Sequence, residues 1–293
     1  MAVPHIDTLF EDDDLVVISK SAGVVATRAQ TVLEPTVQDW MAERLGEARQ
    51  IDFWKSRVAE WQSMVPADFD EQFGTPEEQF VARSGIVHRL DKDTSGVMVL
   101  AKNPGAYVAL LAAFKNRHVQ KTYTCLTHGK FALQQGVVSA PLGRSSKDRT
   151  VFAIRAEGRP AETFYSVERV FAGLDEEVVD SLLQTALPEA TERRQFFRQA
   201  ARLYQGFSLV SCQPKTGRTH QIRVHMMHKH HPLVGDATYV GKKRAHLDIL
   251  WCPRQFLHAA KLELAHPRTG EQLVFEAALP EELEKVISLL LPT

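Results

Sequence analysis

Residues 86–102 read Ile86-Val87-His88-Arg89-Leu90-Asp91-Lys92-Asp93-Thr94-Ser95-Gly96-Val97-Met98-Val99-Leu100-Ala101-Lys102, and the fold turns on the change of character inside this stretch. Its second half, 97–101, is uncharged and rich in β-branched residues, the pattern of a buried strand. Its first half cannot be core. His88, Arg89, Asp91, Lys92 and Asp93 crowd together there, and such charges are rarely buried unless paired. Thr94-Ser95-Gly96 supplies turn chemistry between the two, with two hydroxyls for local backbone bonds and a glycine free to take positive φ. A polar loop held against a buried strand is a good place for a catalytic group.

Working outward, Asn103-Pro104 looks like an N-cap with proline at the first helical position, and the helix it opens is expected to reach about Arg117. A strand at 119–127 places Lys121, Tyr123 and Cys125 on one face, so 97–127 reads as a β-α-β unit. Upstream, 15–19 is a short apolar strand turned by Lys20-Ser21-Ala22-Gly23. Val37, Trp40, Met41, Arg44 and Leu45 mark an amphipathic helix capped by Thr36 with Asp39 three residues on. Phe53, Trp54, Val58, Trp61 and Val65 suggest a second helix, broken at 66–68 and at Gly74-Thr75-Pro76. Residues 49–83 read as an insertion, and so does the mostly helical 172–205. Strands are expected at 163–171, 207–213, 257–265 and 272–277. A helix capped by Thr219 should run to about His231, where Pro232 stops it, and a last helix starts at Pro280.

The chain has 293 residues, 44% hydrophobic and 24% charged, with a net charge of −1. That is an ordinary globular composition with no global basic excess, so any nucleic-acid surface must be local. The three cysteines form no CxxC pair, which argues against a disulfide framework or thiolate zinc site and fits a reducing cytoplasm. The N-terminus lacks the charge and apolar pattern of a signal peptide, and no apolar run is long enough for a membrane span.

Asp91, Tyr123 and Arg223 can be brought together by packing. A carboxylate facing a guanidinium stays ionised and can serve as nucleophile or base. A tyrosine beside it can stack on a planar base and pass a proton. Arg144, Lys147 and Arg149 in one loop can hold phosphates. Each residue also has a plainer reading: Asp91 paired with Lys92 or Arg89, Tyr123 as an ordinary strand tyrosine, Arg223 as a solvated helix residue, and the basic loop as a wet surface.

The combination is more specific than its parts. His88-Arg89-Leu90-Asp91-Lys92-Asp93-Thr94-Ser95-Gly96 resembles the HRLDxxTSG signature of the RluA-type pseudouridine synthases. Further segments resemble that family in its expected order: Lys20 with Gly23, Lys121-Thr122-Tyr123, Gly217-Arg218-Thr219-His220-Gln221-Ile222-Arg223-Val224-His225, Gly235-Asp236 with Tyr239, Leu257-His258-Ala259, His266-Pro267 and Leu279-Pro280. The resemblance implies a single α/β domain of α+β type, with a mixed, largely antiparallel sheet, flanking helices and a central RNA-binding cleft. It implies isomerisation of a uridine to pseudouridine in ribosomal or transfer RNA, with no metal and no organic cofactor. It places the catalytic aspartate at Asp91, the active-site tyrosine at Tyr123 and the arginine that pairs with the aspartate at Arg223. Arg89 matches an arginine that helps place displaced RNA. Arg218, His220 and Gln221 fall in the matching run as substrate contacts, and Ile222 and Leu257 sit where apolar residues pack near the target base. The small S4 RNA-binding module of many relatives is not expected here. RNA is the expected partner, with no membrane, no obligate protein partner and a monomeric state.

Two other classes compete. A noncatalytic RNA-binding protein on the same fold is disfavoured by the intact Asp91, Tyr123 and Arg223. A metal enzyme built on His220, His225, His228, His230 and His231 is disfavoured because no carboxylate joins them at ligand spacing, and a histidine-rich helix end suits the negative end of the helix dipole.

Overall fold

The computed structural model describes residues 6–30 and 32–293, so the extreme N-terminus read for a signal sequence lies partly outside the described residues. In chain order the elements are β1 (Asp7–Glu11), β2 (Leu15–Lys20), α1 (Val37–Leu45), α2 (Ile51–Lys55), α3 (Pro76–Arg83), β3 (Ser95–Ala101), α4 (Pro104–Lys115), β4 (Gln120–His128), β5 (Gln135–Ser139), β6 (Leu142–Arg144), β7 (Phe152–Ile154) and β8 (Glu162–Leu174). There follow α5 (Glu176–Leu183), α6 (Ala190–Leu203), β9 (Phe207–Pro214), α7 (Gln221–His228), α8 (Lys242–Asp248), β10 (Leu257–Ala265), β11 (Gln272–Glu276), α9 (Glu281–Ser288) and β12 (Leu290–Pro292). The class is α+β, with a mostly antiparallel sheet as expected. Contacts gather the chain into two compact units, Met1–Lys121 with Ala259–Ala278 and Thr122–His258 with Leu279–Thr293. The division falls inside β4, so β3, α4 and β4 follow one another as read from the sequence but are not confined to one unit.

In the first unit, β1, β2 and β3 form an antiparallel meander with Leu15 opposite Ala101 and Lys20 opposite Gly96. On the other side of β3 comes β10, which pairs with β11. Every residue of β3 is buried, which is why 97–101 is a continuous apolar run rather than an alternating one. Both expected caps are present. Thr36 Oγ1 accepts from the Asp39 N–H while Asp39 accepts from the Thr36 N–H, and Asn103 caps the Ala106 N–H with Pro104 at the first helical position.

The 49–83 segment departs from expectation. The aromatic spacing suggested one helix, but α2 closes after five residues and 3₁₀ turns follow at Val58–Glu60 and Gln62–Met64. Trp54 and Trp61 are nevertheless buried, against Phe80, Tyr107 and Leu110 of α3 and α4. Packing, not helix continuity, sets their spacing. Gly74-Thr75-Pro76, read as a break, is also a start: Thr75 and Glu78 form a capping box and Pro76 opens α3.

In the second unit the strand order is β4-β9-β8-β12, with β5 also on β8, all antiparallel. A separate hairpin pairs β6 with β7. The 172–205 segment is helical as expected, although β8 runs on to Leu174 before α5 begins. Val179 and Leu183 of α5 and Phe196 and Ala200 of α6 pack with Phe207, Trp251, Leu283 and Val286, so this insertion is part of a core. Among the described residues no helix is long and apolar enough to cross a membrane.

Gly96 shows how tightly the first unit is built. Its φ is +119°, and a Cβ there would lie 2.2 Å from the Ala259 carbonyl oxygen. Neither a strained φ nor backbone overlap can be relieved by a rotamer change. Gly96→Ala is therefore expected to cost more than about 3 kcal/mol, read as a large fall in the thermal midpoint by circular dichroism.

Candidate active site

In the first unit the Asp91 loop is pinned on both sides of the aspartate. On the far side, the Lys92 carbonyl accepts from the Gly23 N–H at 3.0 Å and from Lys20 Nζ at 2.9 Å. Lys20 is fully buried, and its ammonium also donates to the carbonyls of Ser21 and Val24 at 2.8 Å each. On the near side, His88 Nε2 accepts from the Val99 N–H at 3.1 Å, and its ring stacks on Phe114 at 4.7 Å. Leu90 is buried, and the Thr94 N–H donates to the Asp91 carbonyl to close the turn. Asp91 is half-buried and Arg89 exposed. Lys92, a neighbour that could have neutralised Asp91, turns to Glu34 at 2.8 Å.

Burial lowers two basic groups here. His88 is pushed down to about 3 by desolvation and the nearby Lys121 cation, consistent with a ring nitrogen that must keep its lone pair for Val99. Burial brings Lys121 down to about 8.

In the second unit Tyr123 is half-buried on β4 and packs in one cluster with Cys125, Cys212, Ile222 and Leu257. The cysteines, far apart in sequence, bring Cys125 Sγ and Cys212 Sγ to 3.6 Å as free thiols.

Arg223 is buried, not solvated, and a carboxylate grips its fork. Nε lies 2.7 Å from Asp236 Oδ2 and Nη2 lies 2.8 Å from Asp236 Oδ1, with Thr238 Oγ1 at 3.1 Å from Nη2. The guanidinium also sits over the Tyr239 ring at 5.1 Å. Asp236 is fully buried, and its Oδ1 accepts from the N–H groups of Thr238 and Tyr239. Gly235 makes this turn possible: its φ is +71°, and a Cβ would lie 2.1 Å from the Arg254 carbonyl oxygen. Tyr239 Oη accepts from the Phe152 N–H and pairs with His220 Nδ1 at 2.9 Å. Sequence reasoning gave Asp236 no role. The only signal was its place in the Gly235-Asp236…Tyr239 match.

Two expectations for this region are corrected, the role of Gln221 and the bounds of α7. Gln221, expected to touch RNA, is a buried bracket: Oε1 accepts from Thr216 Oγ1 and the Arg218 N–H, while Nε2 donates to the Glu162 carbonyl and Thr163 Oγ1. Thr219 does not cap the helix. The N-cap position is His220, in the left-handed conformation at φ 55° and with no side-chain capping bond, and α7 ends at His228 rather than near His231. The histidine metal reading, already disfavoured, loses three of its five rings to other partners, since His220 is bonded to Tyr239 and His225 and His231 are bonded elsewhere. His225 bonds Thr163 Oγ1 and the Ala140 carbonyl through its two nitrogens, and burial lowers its pKa. His231 Nδ1 bonds the His128 carbonyl and the ring stacks on Phe131. Among the described residues the one cluster with metal-ligand spacing is Asp12, Asp14 and His266, and Arg268 already occupies Asp14.

The basic loop is closed by the Ser145 N–H on the Val151 carbonyl. Arg144 is partly spent on it, donating to the Arg149 carbonyl and lying over Phe152 at 5.1 Å. Lys147 and Arg149 are exposed, and Arg218 Nε reaches the Pro160 carbonyl.

Residues 14–228 match the family model described as RNA pseudouridylate synthase. This chain belongs to that family. The family acts on RNA, isomerising uridine to pseudouridine. An uncharacterized RNA pseudouridine synthase, YlyB, of Bacillus subtilis is 32% identical over 96% of this chain and 72% of its own length. The ribosomal large subunit pseudouridine synthase D of Nitrosomonas europaea is 32% identical over 98% of this chain and 65% of that protein. An uncharacterized RNA pseudouridine synthase of Chloroflexus aurantiacus is 38% identical over 70% of this chain and 53% of that protein. The chain therefore spans between about half and three quarters of the relatives it matches. The solved structure of human RNA pseudouridylate synthase domain containing 1 superposes with a TM-score of 0.59 at 21% identity, covering 100% of this chain and 91% of that one, which establishes likeness of fold.

The geometry around Arg223 and His88 sets two outcomes. Asp236→Asn leaves Arg223 buried without its anion and is expected to cost about 3–5 kcal/mol, measured by urea unfolding. His88 has a folded pKa near 3 against an ordinary value of 6.5, so between those values the unfolded chain binds more protons. Its contribution to stability is complete above about pH 6.5 and is lost as pH falls toward 3. His88→Gln keeps an acceptor for Val99 but does not titrate, so stability should fall less steeply between pH 6.5 and 4 than in wild type.

Proposed function

We propose that this chain isomerises a uridine of large-subunit ribosomal RNA to pseudouridine, and that residues 1–293 serve as a single catalytic domain. The observation that carries the reading is the loop clamped by Lys20 and His88, which holds a half-buried carboxylate at a fixed place beside a buried strand. The names of the ribosomal large subunit relatives support the choice of RNA.

In this mechanism the uridine is flipped out of the stack, at a cost of a few kcal/mol. Asp91 attacks the ribose or abstracts a ribose proton, and the bond between C1′ and N1 of the base breaks. The detached uracil turns within an apolar pocket of Ile222 and Leu257, with Tyr123 stacked on it, so that C5 comes to face C1′. A carbon–carbon bond then forms between C5 and C1′ as the Asp91–C1′ bond breaks, or as the abstracted proton returns to the ribose, and the C5 proton is relayed through the tyrosine hydroxyl so that N1 ends protonated. Arg223, itself aimed by Asp236, takes by resemblance the role of the family arginine that keeps the catalytic aspartate ionised. Arg89, Lys147, Arg149 and Arg218 hold backbone phosphates, a salt-dependent contribution.

Pseudouridine mapping of total RNA tests this reading. Cells lacking the gene should lose a site in large-subunit RNA that wild type restores and Asp91→Asn does not. On an RNA carrying that site, purified Asp91→Asn should bind with unchanged affinity and turn over at least about 1,000-fold more slowly, about 4 kcal/mol in the barrier. Substantial turnover by the variant would remove Asp91 from the chemistry. Tyr123→Phe should lose about 100-fold or more if the hydroxyl carries the C5 proton, and little if the ring only stacks.

A further inference from the structure

The first unit contains a pocket of about 540 Å³ beside the Asp91 loop. Its lining includes Phe73 from the irregular 49–83 segment, Gln79 and Arg83 from α3, His88 and Arg89 from the loop, and Tyr107 from α4. We propose that this pocket is a subsite for an unstacked nucleotide flanking the target uridine, with Arg83 on its phosphate and Phe73 against its base. The proposal rests on the synthase reading above and assigns an RNA-docking role to a segment for which packing alone gives no reason to present these groups outward.

Charge points to an anion. Two guanidinium groups line the pocket and no carboxylate is among its lining residues. Arg83 and Arg89 are both exposed, and among the described residues neither guanidinium is held in an ion pair. His88 adds no charge, because its ring nitrogen is committed to Val99. The positive potential is thus concentrated on the two arginines, the side chains best suited to phosphate geometry.

Shape and chemistry point to a nucleotide rather than a bare anion. Phe73 is 80% exposed on the turn Glu71–Phe73, a flat apolar face open to water at the pocket. Tyr107 is 4% exposed and is held edge-on by Phe80 at 6.1 Å, so it gives the pocket a rigid wall. Aromatic faces with arginine are the usual means of holding an unstacked base. The volume lies within the ordinary range for ligand sites. Arg89 is two residues from Asp91, at most about 7 Å of extended chain, so an occupant next to Arg89 would be a close strand neighbour of the uridine at Asp91.

The test uses full-length protein and a short RNA carrying the mapped uridine. Single-turnover isomerisation is followed as a function of protein and salt concentration, for wild type, Arg83→Gln and Phe73→Ala. Both side chains are exposed, so thermal midpoints should match wild type, with Phe73→Leu as a second variant should Phe73→Ala lose stability. Arg83→Gln should raise the half-saturating concentration about tenfold and reduce the logarithmic salt slope by about one, with the saturated rate within about twofold. Phe73→Ala should weaken binding at least about fivefold with the salt slope unchanged. Replacing single linkages near the uridine with neutral methylphosphonate locates the contact: one linkage should weaken wild type and leave Arg83→Gln indifferent. Wild-type kinetics in both variants, or no linkage that distinguishes Arg83→Gln from wild type, would overturn the subsite while leaving the synthase reading intact. So would competition by polyglutamate against wild type but not Arg83→Gln when the variants' RNA kinetics are unchanged, since that assigns the pocket to an acidic protein segment. Failure of wild type to modify any RNA is a different result and removes the reading on which the subsite rests.

Discussion

What the first unit presents to a substrate depends on an ammonium group withdrawn from water. Lys20 is fully buried, and its three donors meet the carbonyls of Ser21, Val24 and Lys92. A buried cation is tolerated when its hydrogen bonds are made, and each bond to a charged group contributes about 1.5–3 kcal/mol. The geometric consequence matters more than the energy. Two of the carbonyls come from the turn after β2 and the third from the residue following Asp91, so one charge ties a loop to a turn more than sixty residues away in sequence. The Gly23 N–H on the same Lys92 carbonyl makes that tie two-point. With His88 anchored to β3 on the other side, the loop has little freedom to carry Asp91 elsewhere.

The second unit buries a cation differently. Carbonyls approaching from several directions suit the compact ammonium of Lys20, whereas Arg223 needs a planar partner and has one in Asp236. The two solutions are not interchangeable, because a lysine cannot reproduce a two-bond fork and an arginine cannot fold into a three-carbonyl cage. Asp236 is fixed in turn by two backbone N–H groups and by a turn that only Gly235 permits. In both units a charged group is aimed by backbone constraints rather than by other mobile side chains, which is how a site is held to the tolerance that chemistry requires.

Sequence made the frame legible and left the brackets hidden, and the division has a physical basis. Strands at 257–265 and 272–277, the Thr36–Asp39 capping box and the apolar run of β3 are local patterns, and local patterns can be read directly. The family motif marked Asp91, Tyr123 and Arg223. The partner of Arg223 could not be read, because Asp236 lies on a separate loop and nothing local marks an aspartate that will be buried. Gln221 was misread for the complementary reason: a glutamine in a recognition motif looks like a substrate contact until its four internal bonds are seen. His220 takes the left-handed conformation at the start of α7 while its ring pairs with Tyr239. At Gly74-Thr75-Pro76 the same three residues end one turn and start the next helix, so a break signal and a cap signal overlap.

The net charge of −1 looks unpromising for an RNA enzyme only if every cation is counted alike. Many are committed inside the protein. Arg223 is held by Asp236, Arg268 by Asp14, Arg193 by Asp180 and Arg254 by Glu282. These pairs cancel in the sum, and they cancel equally in the field felt by an approaching phosphate. Arg83, Arg89, Lys147 and Arg149 are exposed, and among the described residues no carboxylate holds them. Counterion release depends on how many phosphates meet such uncommitted cations, not on the balance of the whole chain. A nearly neutral protein can therefore bind RNA locally without attracting it everywhere, and the cation count that matters is set by the ion-pair pattern of the fold.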